Sequence, residues 1–412
     1  MSAAPASAFR SLRHANYRLW AGGALVSNIG TGVQRIAQDW LVLTVLTHRS
    51  ASALGIVMAL QFAPQLLLLP WTGSAADHSD QRKLLIATQA AMGILALMLG
   101  LLTVSGAVRL WQVYVFALLF GAAAAFDAPV RQTFVAQLVG DADLPNAVAL
   151  NSMSFNIATL IGPAAAGLMI AAIGTGWAFL ANGASFLAVL ASLLLLDKSA
   201  LHPSARTQRA RGSFVQGLRY VSKRADLIAI LVMLFLIGTF GLNLPIFISV
   251  MAVQVFHADA RGYGLLSSVM AVGTIAGAFL SAQRDRPRFA ILLWSACLLG
   301  IGFTLAAFAP DIWAFAAALI VVGIAYLTFF NATNGLMQLS TEPAMRGRVM
   351  ALRIGVALGG TPIGAPTVGW VADHLGPRWA IGVGAASGFA AAAVGVYALL
   401  RRAGAASRLS PS

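Results

Sequence analysis

About twelve times along this chain, a run of about 20 apolar residues is followed by a short polar break. The runs cover approximately 19–46, 53–72, 84–104, 110–126, 147–172, 177–196, 227–253, 263–282, 289–308, 312–335, 349–371 and 379–400. At a rise of about 1.5 Å per residue, each is long enough to cross a hydrocarbon layer of about 30 Å as a helix. No stretch alternates polar and apolar residues as a barrel strand must. Hydrophobic residues make up 59% of the 412 residues and charged residues 10%. A soluble chain needs about 25% charge to cover its surface. The sequence therefore predicts an all-α integral membrane protein with twelve transmembrane helices.

The charge that is present is unevenly placed. Lys and Arg total 27 against 13 Asp and Glu, a formal net charge of +14. Such a surplus invites a nucleic-acid partner, but here the bases sit in loops between apolar runs. With twelve spans, about 22 of them fall on the side of the N-terminus and about four on the other, which is the positive-inside pattern. The first group includes Arg10, Arg13, Arg18, Arg82, Lys83, Arg131, Arg346, Arg348 and Arg353; the second is Arg49, Arg109, Arg261 and Arg378. Both termini are expected in the cytoplasm, in a bacterial inner (plasma) membrane, with the lipid bilayer and no nucleic acid as partner. The polar, basic start of the chain does not read as a cleavable leader. The single cysteine, Cys297, excludes an intrachain disulfide, and the six histidines fall in or beside loops without metal-ligand spacing. No metal and no cofactor is expected.

The longest break divides the chain into an N-terminal six-helix bundle (1–196), a linker (197–226) and a C-terminal six-helix bundle with its tail (227–412). Within the linker, Phe214, Val215, Leu218 and Val221 share a helical face, so the stretch is either an interfacial amphipathic helix or a solvated connection. The halves also repeat. A shift of about 202 residues brings Ile161-Gly162 onto Ile363-Gly364, Gly167 onto Gly369, and Trp177-Ala178 onto Trp379-Ala380. An even number of spans per half makes the repeats parallel, which predicts two bundles facing one another around a central cavity.

Ionisable groups inside spans are costly and so point to function. Asp39 is the one carboxylate that the runs place deep in a span, and Arg35 the one base. At 100° per residue, Asn28, Gly32, Arg35 and Asp39 form one narrow stripe. The stripe is expected to line the cavity, with Arg35 offering a fork of donors to substrate oxygens and Asp39 exchanging a proton. The alternative is a structural pair in which each charge cancels the other.

The break after the second run reads Gly73-Ser-Ala-Ala-Asp77-His-Ser-Asp80-Gln-Arg82-Lys83. It resembles the signature loop of the major facilitator superfamily at Gly73, Asp77, Arg82 and Lys83, and departs from it at His78, Asp80 and Gln81. The resemblance implies that these residues act as a conformational latch, with Asp77 opposite the positive start of the eleventh span near Arg346 and Arg348. More of the chain is similar to the branch that contains enterobactin-exporter-like proteins and drug:proton antiporters. The similar segments are FRSLRHANYRLW, Gln38 to Leu43, Pro129 to Gln132, Leu144 to Ser152, Gly162-Pro163 with Gly167, and Arg346 to Met350. Gly162, Pro163 and Gly167 would serve helix packing and bending.

The expected function is thus a secondary active transporter, not an enzyme, exporting a small organic compound (drug-like or siderophore-like) in exchange for protons. A proton-coupled uptake permease and a non-transporting membrane sensor are the alternatives. The longest break is too short for the soluble domain a sensor would carry.

Overall fold

A computed structural model describes residues 9–69, 71–72, 75, 79–202, 213–283 and 287–407. Every regular element among them is helical, as the composition predicts. In chain order these are α1 (Ala15–Trp40), α2 (Ala51–Leu67), α3 (Gln81–Val104), α4 (Leu110–Ile173), α5 (Thr175–Leu195), α6 (Ser213–Ser222) and α7 (Ala225–Leu236). They continue as α8 (Leu244–Val250), α9 (Ala260–Ala282), α10 (Phe289–Ala307), α11 (Ile312–Ser340), α12 (Pro343–Gly359), α13 (Thr361–His374) and α14 (Pro377–Ser407). Three π-helical turns extend these rods, at Leu41–Leu46, Ile237–Gly241 and Met251–Val255.

Among the described residues, nine helices are long and apolar enough to cross a membrane. One of the nine, α4, is 64 residues long and is broken at Gly140, whose φ of 70° is open to glycine at no steric cost. Ala51–Leu67 is apolar but shorter than the nine. The segment 213–222 is helical; the basic residues 203–212 before it lie outside the described residues.

The helices gather into two units. The first comprises Met1–His48, Ala63–Gln208 and Asp259–Ser268; the second comprises Arg49–Phe62, Arg209–Ala258 and Val269–Ser412. The first turns of α9 thus belong with the N-terminal helices, and most of α2 belongs with the C-terminal ones.

In the first unit α1 packs against α4 and α5, and α3 against α5 and α4. Its core includes Tyr17, Trp20, Phe134, Leu138 and Phe186. The Tyr17 hydroxyl, fully buried, donates to the Ala147 carbonyl at 2.8 Å. Just ahead of α1, a clamp holds the chain start to the connection after Gly140. Asp143 lies 3.1 Å from Arg10, 2.8 Å from Arg13 and 2.8 Å from His14. The Ser11 amide donates to the Asn146 side chain at 3.0 Å. Two of the segments that carry the resemblance, FRSLRHANYRLW and Leu144 to Ser152, therefore meet one another.

In the second unit α10 packs against α11 and α14, and α7 against α14. The start of α2 is capped from far along the chain. Asp373, at the end of α13, accepts from the Ala51 amide at 2.7 Å, the Ser52 amide at 2.9 Å and the Ser50 hydroxyl at 3.0 Å.

Candidate functional site

Asn28, Gly32, Arg35 and Asp39 all lie on α1, and they have different neighbours. Asp39 is 3% exposed. Its Oδ2 accepts a hydrogen bond from the Tyr263 hydroxyl at 2.7 Å. Tyr263 is wholly buried and its ring stacks on Trp40, with centroids 6.4 Å apart. No cation lies within ion-pair distance of Asp39 among the described residues: Arg35 is exposed and makes neither an ion pair nor a hydrogen bond there. The two charges are near enough to influence one another without touching.

Gly32 lies where α1 meets α4. A Cβ there would come within 3.3 Å of the Ala158 carbonyl and of Gly162 Cα. Gly162 in turn would press on Gly32, so this pair sets how closely the two backbones approach. Pro163 and Gly167 are buried in the same stretch of α4. A side chain at Gly167 would meet the Ala260 carbonyl at 2.6 Å, and one at Gly264 would run into the Pro163 carbonyl.

Asn28, about 16 Å from Asp39 along the helix, belongs to a second polar cluster. Its Oδ1 accepts from Arg131 Nη1 at 3.0 Å. Arg131 also clasps Asp127, with Nη2 at 2.7 Å and Nε at 3.0 Å from Oδ2. Asp127 Oδ1 accepts from Thr88 at 2.9 Å and from Gln89 at 2.7 Å, both on α3. Asp127 is 4% exposed.

Hydropathy alone ends the fourth apolar run at residue 126 and assigns Arg131 to a cytoplasmic loop. The structure places Arg131 in a helix instead of a loop: α4 continues to Gly140, and the carboxylate of Asp127 and the guanidinium of Arg131 sit one turn apart within it, where they neutralise each other. The Asp-x-x-x-Arg spacing is the signal in the sequence that points to this. Arg353 needs the same correction: by its place in the chain it reads as a loop base, yet it lies within α12. Its Nη2 donates to the Phe330 carbonyl at 2.8 Å and to Thr333 at 3.1 Å, with the guanidinium 5.9 Å from the centroid of the Phe330 ring.

Of the expected latch, Gly73 and Asp77 lie outside the described residues. Arg82 donates to the Leu193 carbonyl at 2.7 Å and the Leu194 carbonyl at 3.2 Å, holding the last turn of α5. Lys83 is exposed, 3.9 Å from Asp80. Arg346 donates to the Gln338 carbonyl at 3.1 Å, and Arg348 lies 3.1 Å from the Met345 sulfur.

Among the described residues no group of three or more His, Cys, Asp or Glu could hold a metal. Charge buried among membrane helices is costly and marks a place of function.

Comparison with known proteins agrees. The chain is 29% identical over 374 residues to the multidrug efflux pump Tap of Mycolicibacterium fortuitum, covering 86% of this chain and 88% of the relative. It is 29% identical over 249 residues to a staphyloferrin A transporter of Staphylococcus aureus, covering 60% and 62%. With macrolide efflux protein A of Streptococcus pyogenes the identity is 22%, covering 87% and 90%. Its fold is similar to that of a bacterial homologue of the human lysosomal transporter Spinster in an inward-facing, unoccupied conformation, at TM-score 0.72 and 16% identity, covering 96% of each chain. A D-xylose-proton symporter matches at TM-score 0.70 and 12% identity, covering 93% of this chain and 97% of that one. The transmembrane secretion effector family model matches residues 6–412, so this multi-pass membrane protein belongs to that family of transporters, within the major facilitator superfamily.

Proposed function

We propose that the protein is a secondary active transporter that exports a small organic compound from the cell in exchange for protons. The observation that carries this reading is Asp39: a carboxylate buried in α1, bonded to one phenol, with no cation at ion-pair distance among the described residues. Such a group can gain and lose a proton without dismantling a salt bridge. Arg35, exposed on the same stripe, supplies a fork of donors for substrate oxygens. The substrate class follows from the names of the relatives, which are pumps for multiple drugs and macrolides and a carrier of a siderophore. In this reading the chain holds twelve spans in a bacterial plasma membrane, with both termini cytoplasmic. The six-helix halves 1–196 and 227–412 alternate access to a cavity, and 197–226 joins them. Gly73, Asp77, Arg82, Lys83, Arg346 and Arg348 form the cytoplasmic latch of that cycle.

Uptake is the second reading, because a sugar symporter shares the fold. One experiment separates them. Membrane vesicles of known orientation are given a panel of drug-like and siderophore-like compounds, with a proton gradient imposed and then collapsed. Gradient-driven movement out of the cytoplasmic side supports export; movement the other way supports uptake. Asp39→Asn is expected to abolish the driven component in either direction, and accumulation at the parental rate in that variant would place the proton site elsewhere.

A further inference from the structure

We infer that Tyr263 senses the proton on Asp39 and holds the first turns of α9 to the N-terminal helices only while that carboxylate is charged. The inference rests on the proposed role of Asp39 and adds to it a positioning residue that reports the protonation state.

The segment 259–268 leads into α9 and forms its first turns, yet it packs with the first unit. Among the described residues, two hydrogen bonds tie it there: Tyr263 Oη to Asp39, and Ser268 Oγ to the Leu160 carbonyl at 2.8 Å. The Tyr263 ring also stacks on Trp40, and the remaining attachment is shape. Gly167 faces the Ala260 carbonyl and Gly264 faces the Pro163 carbonyl, with no room for a side chain at either. To this packing the two hydrogen bonds add direction, each joining one side-chain donor to one acceptor.

The two bonds differ in kind. Ser268 donates to a peptide carbonyl, whose acceptor strength is constant. Tyr263 donates to a carboxylate, and a hydrogen bond to an ionised acceptor is about twice as strong as one between neutral groups. When a proton from water binds Asp39, the carboxylate becomes a carboxylic acid and the charge assistance is lost. No covalent bond within the protein other than the new O–H forms, and none breaks. The phenol is then left with a neutral partner, and the strongest tie of the segment weakens.

The charged and titratable groups bearing on this pair are few. Arg35 acts on Asp39 from the same helix, and Tyr263 acts on it from α9. Asp39, Arg35 and Ser267 act on the Tyr263 hydroxyl. A substrate anion at Arg35 would withdraw part of that positive influence and favour proton uptake by Asp39. Substrate, proton and the attachment of 259–268 are thereby connected through three side chains.

The test uses the full-length protein in vesicles with Cys297→Ser and Ala260→Cys. Ala260 is 4% exposed, so its cysteine is shielded while the segment is attached. Labelling by a water-soluble thiol reagent is followed across pH, normalised to the same cysteine in detergent-unfolded protein. With the parental pair, normalised labelling is expected to rise about fivefold as pH falls, the ratio set by exchanging a charge-assisted hydrogen bond for a neutral one. Tyr263→Phe keeps the ring and removes the donor, so labelling should be fast at every pH. Asp39→Asn mimics the protonated acid and should also label fast at every pH, which carries the test if Tyr263→Phe fails to reach the membrane. Slow, pH-dependent labelling in either variant overturns the inference. The failure of the underlying reading looks different: Asp39→Asn would still transport against a gradient. Loss of transport in Asp39→Asn together with parental labelling in Tyr263→Phe would remove the sensor alone.

Discussion

Asp39 and Asp127 are both buried carboxylates in the N-terminal helices, and they are solvated by the protein in opposite ways. Asp127 accepts from Thr88, Gln89 and two nitrogens of Arg131, and that arginine reaches on to Asn28. Three helices converge on one negative charge. Asp39 accepts from one phenol and has no cation at bonding distance among the described residues. The difference separates a charge that is permanent, because the surrounding structure is built on it, from a charge that can be removed at the loss of one hydrogen bond. In the proposed cycle the fixed ion pair would orient the helices and the conditional charge would couple their movement.

Asp127→Asn should break the comparison most visibly. It leaves a mostly buried guanidinium without its counter-charge, a change of about 3–5 kcal/mol, and thermal unfolding in detergent should show it. Parental stability in this variant would mean that the cluster is not structural. Arg131→Lys keeps the charge but loses the fork and the tie to Asn28, so a loss of about 1–2 kcal/mol is expected by the same measurement. Asp39→Asn should change unfolding by less than about 1 kcal/mol, since the phenol retains a neutral acceptor. Its effect belongs in transport, and a large stability loss would make Asp39 a second structural charge.

Asp143 supplies the smallest effect and a control. The His14 hydrogen bond, then Arg13 and Arg10, hold its carboxyl below the ordinary carboxylate range. A depressed folded value contributes stability above the unfolded value of about 3.9, lost as pH falls through the folded value. Protection of the amides at residues 9–14, corrected for the intrinsic pH dependence of exchange, should therefore lose the Asp143 contribution only as pH falls below about 4. A pH response of the transporter nearer neutrality then has to come from another group.

Much of this architecture is legible in the sequence because a bilayer imposes a length and a polarity on every crossing segment. The helical class and the stripe on α1 follow from spacing, and the superfamily from the resemblance of a few short segments. The Asp127–Arg131 pair is hidden by the same rule that finds the spans: hydropathy reads two charges, a proline and a glutamine as a loop, although the charges cancel within one turn. Tyr263 cannot be found that way. It lies 224 positions from Asp39, in a helix whose polar residues suggest no partner. Arg353 escapes for a related reason: a base near a loop looks like any other, whereas here carbonyls and an aromatic face accept it.

The cap on α2 has a consequence of its own. A helix start is normally served by a residue beside it in the chain, and so stays served however the rest of the protein moves. Here the serving carboxylate, Asp373, comes from 322 residues away. The first two amides of α2 are thus on loan: those of Ala51 and Ser52 are satisfied only while the end of α13 is present, and any separation hands them to water. Amide exchange at Ala51 and Ser52 becomes a clock for that contact, readable without a label and without knowledge of the substrate.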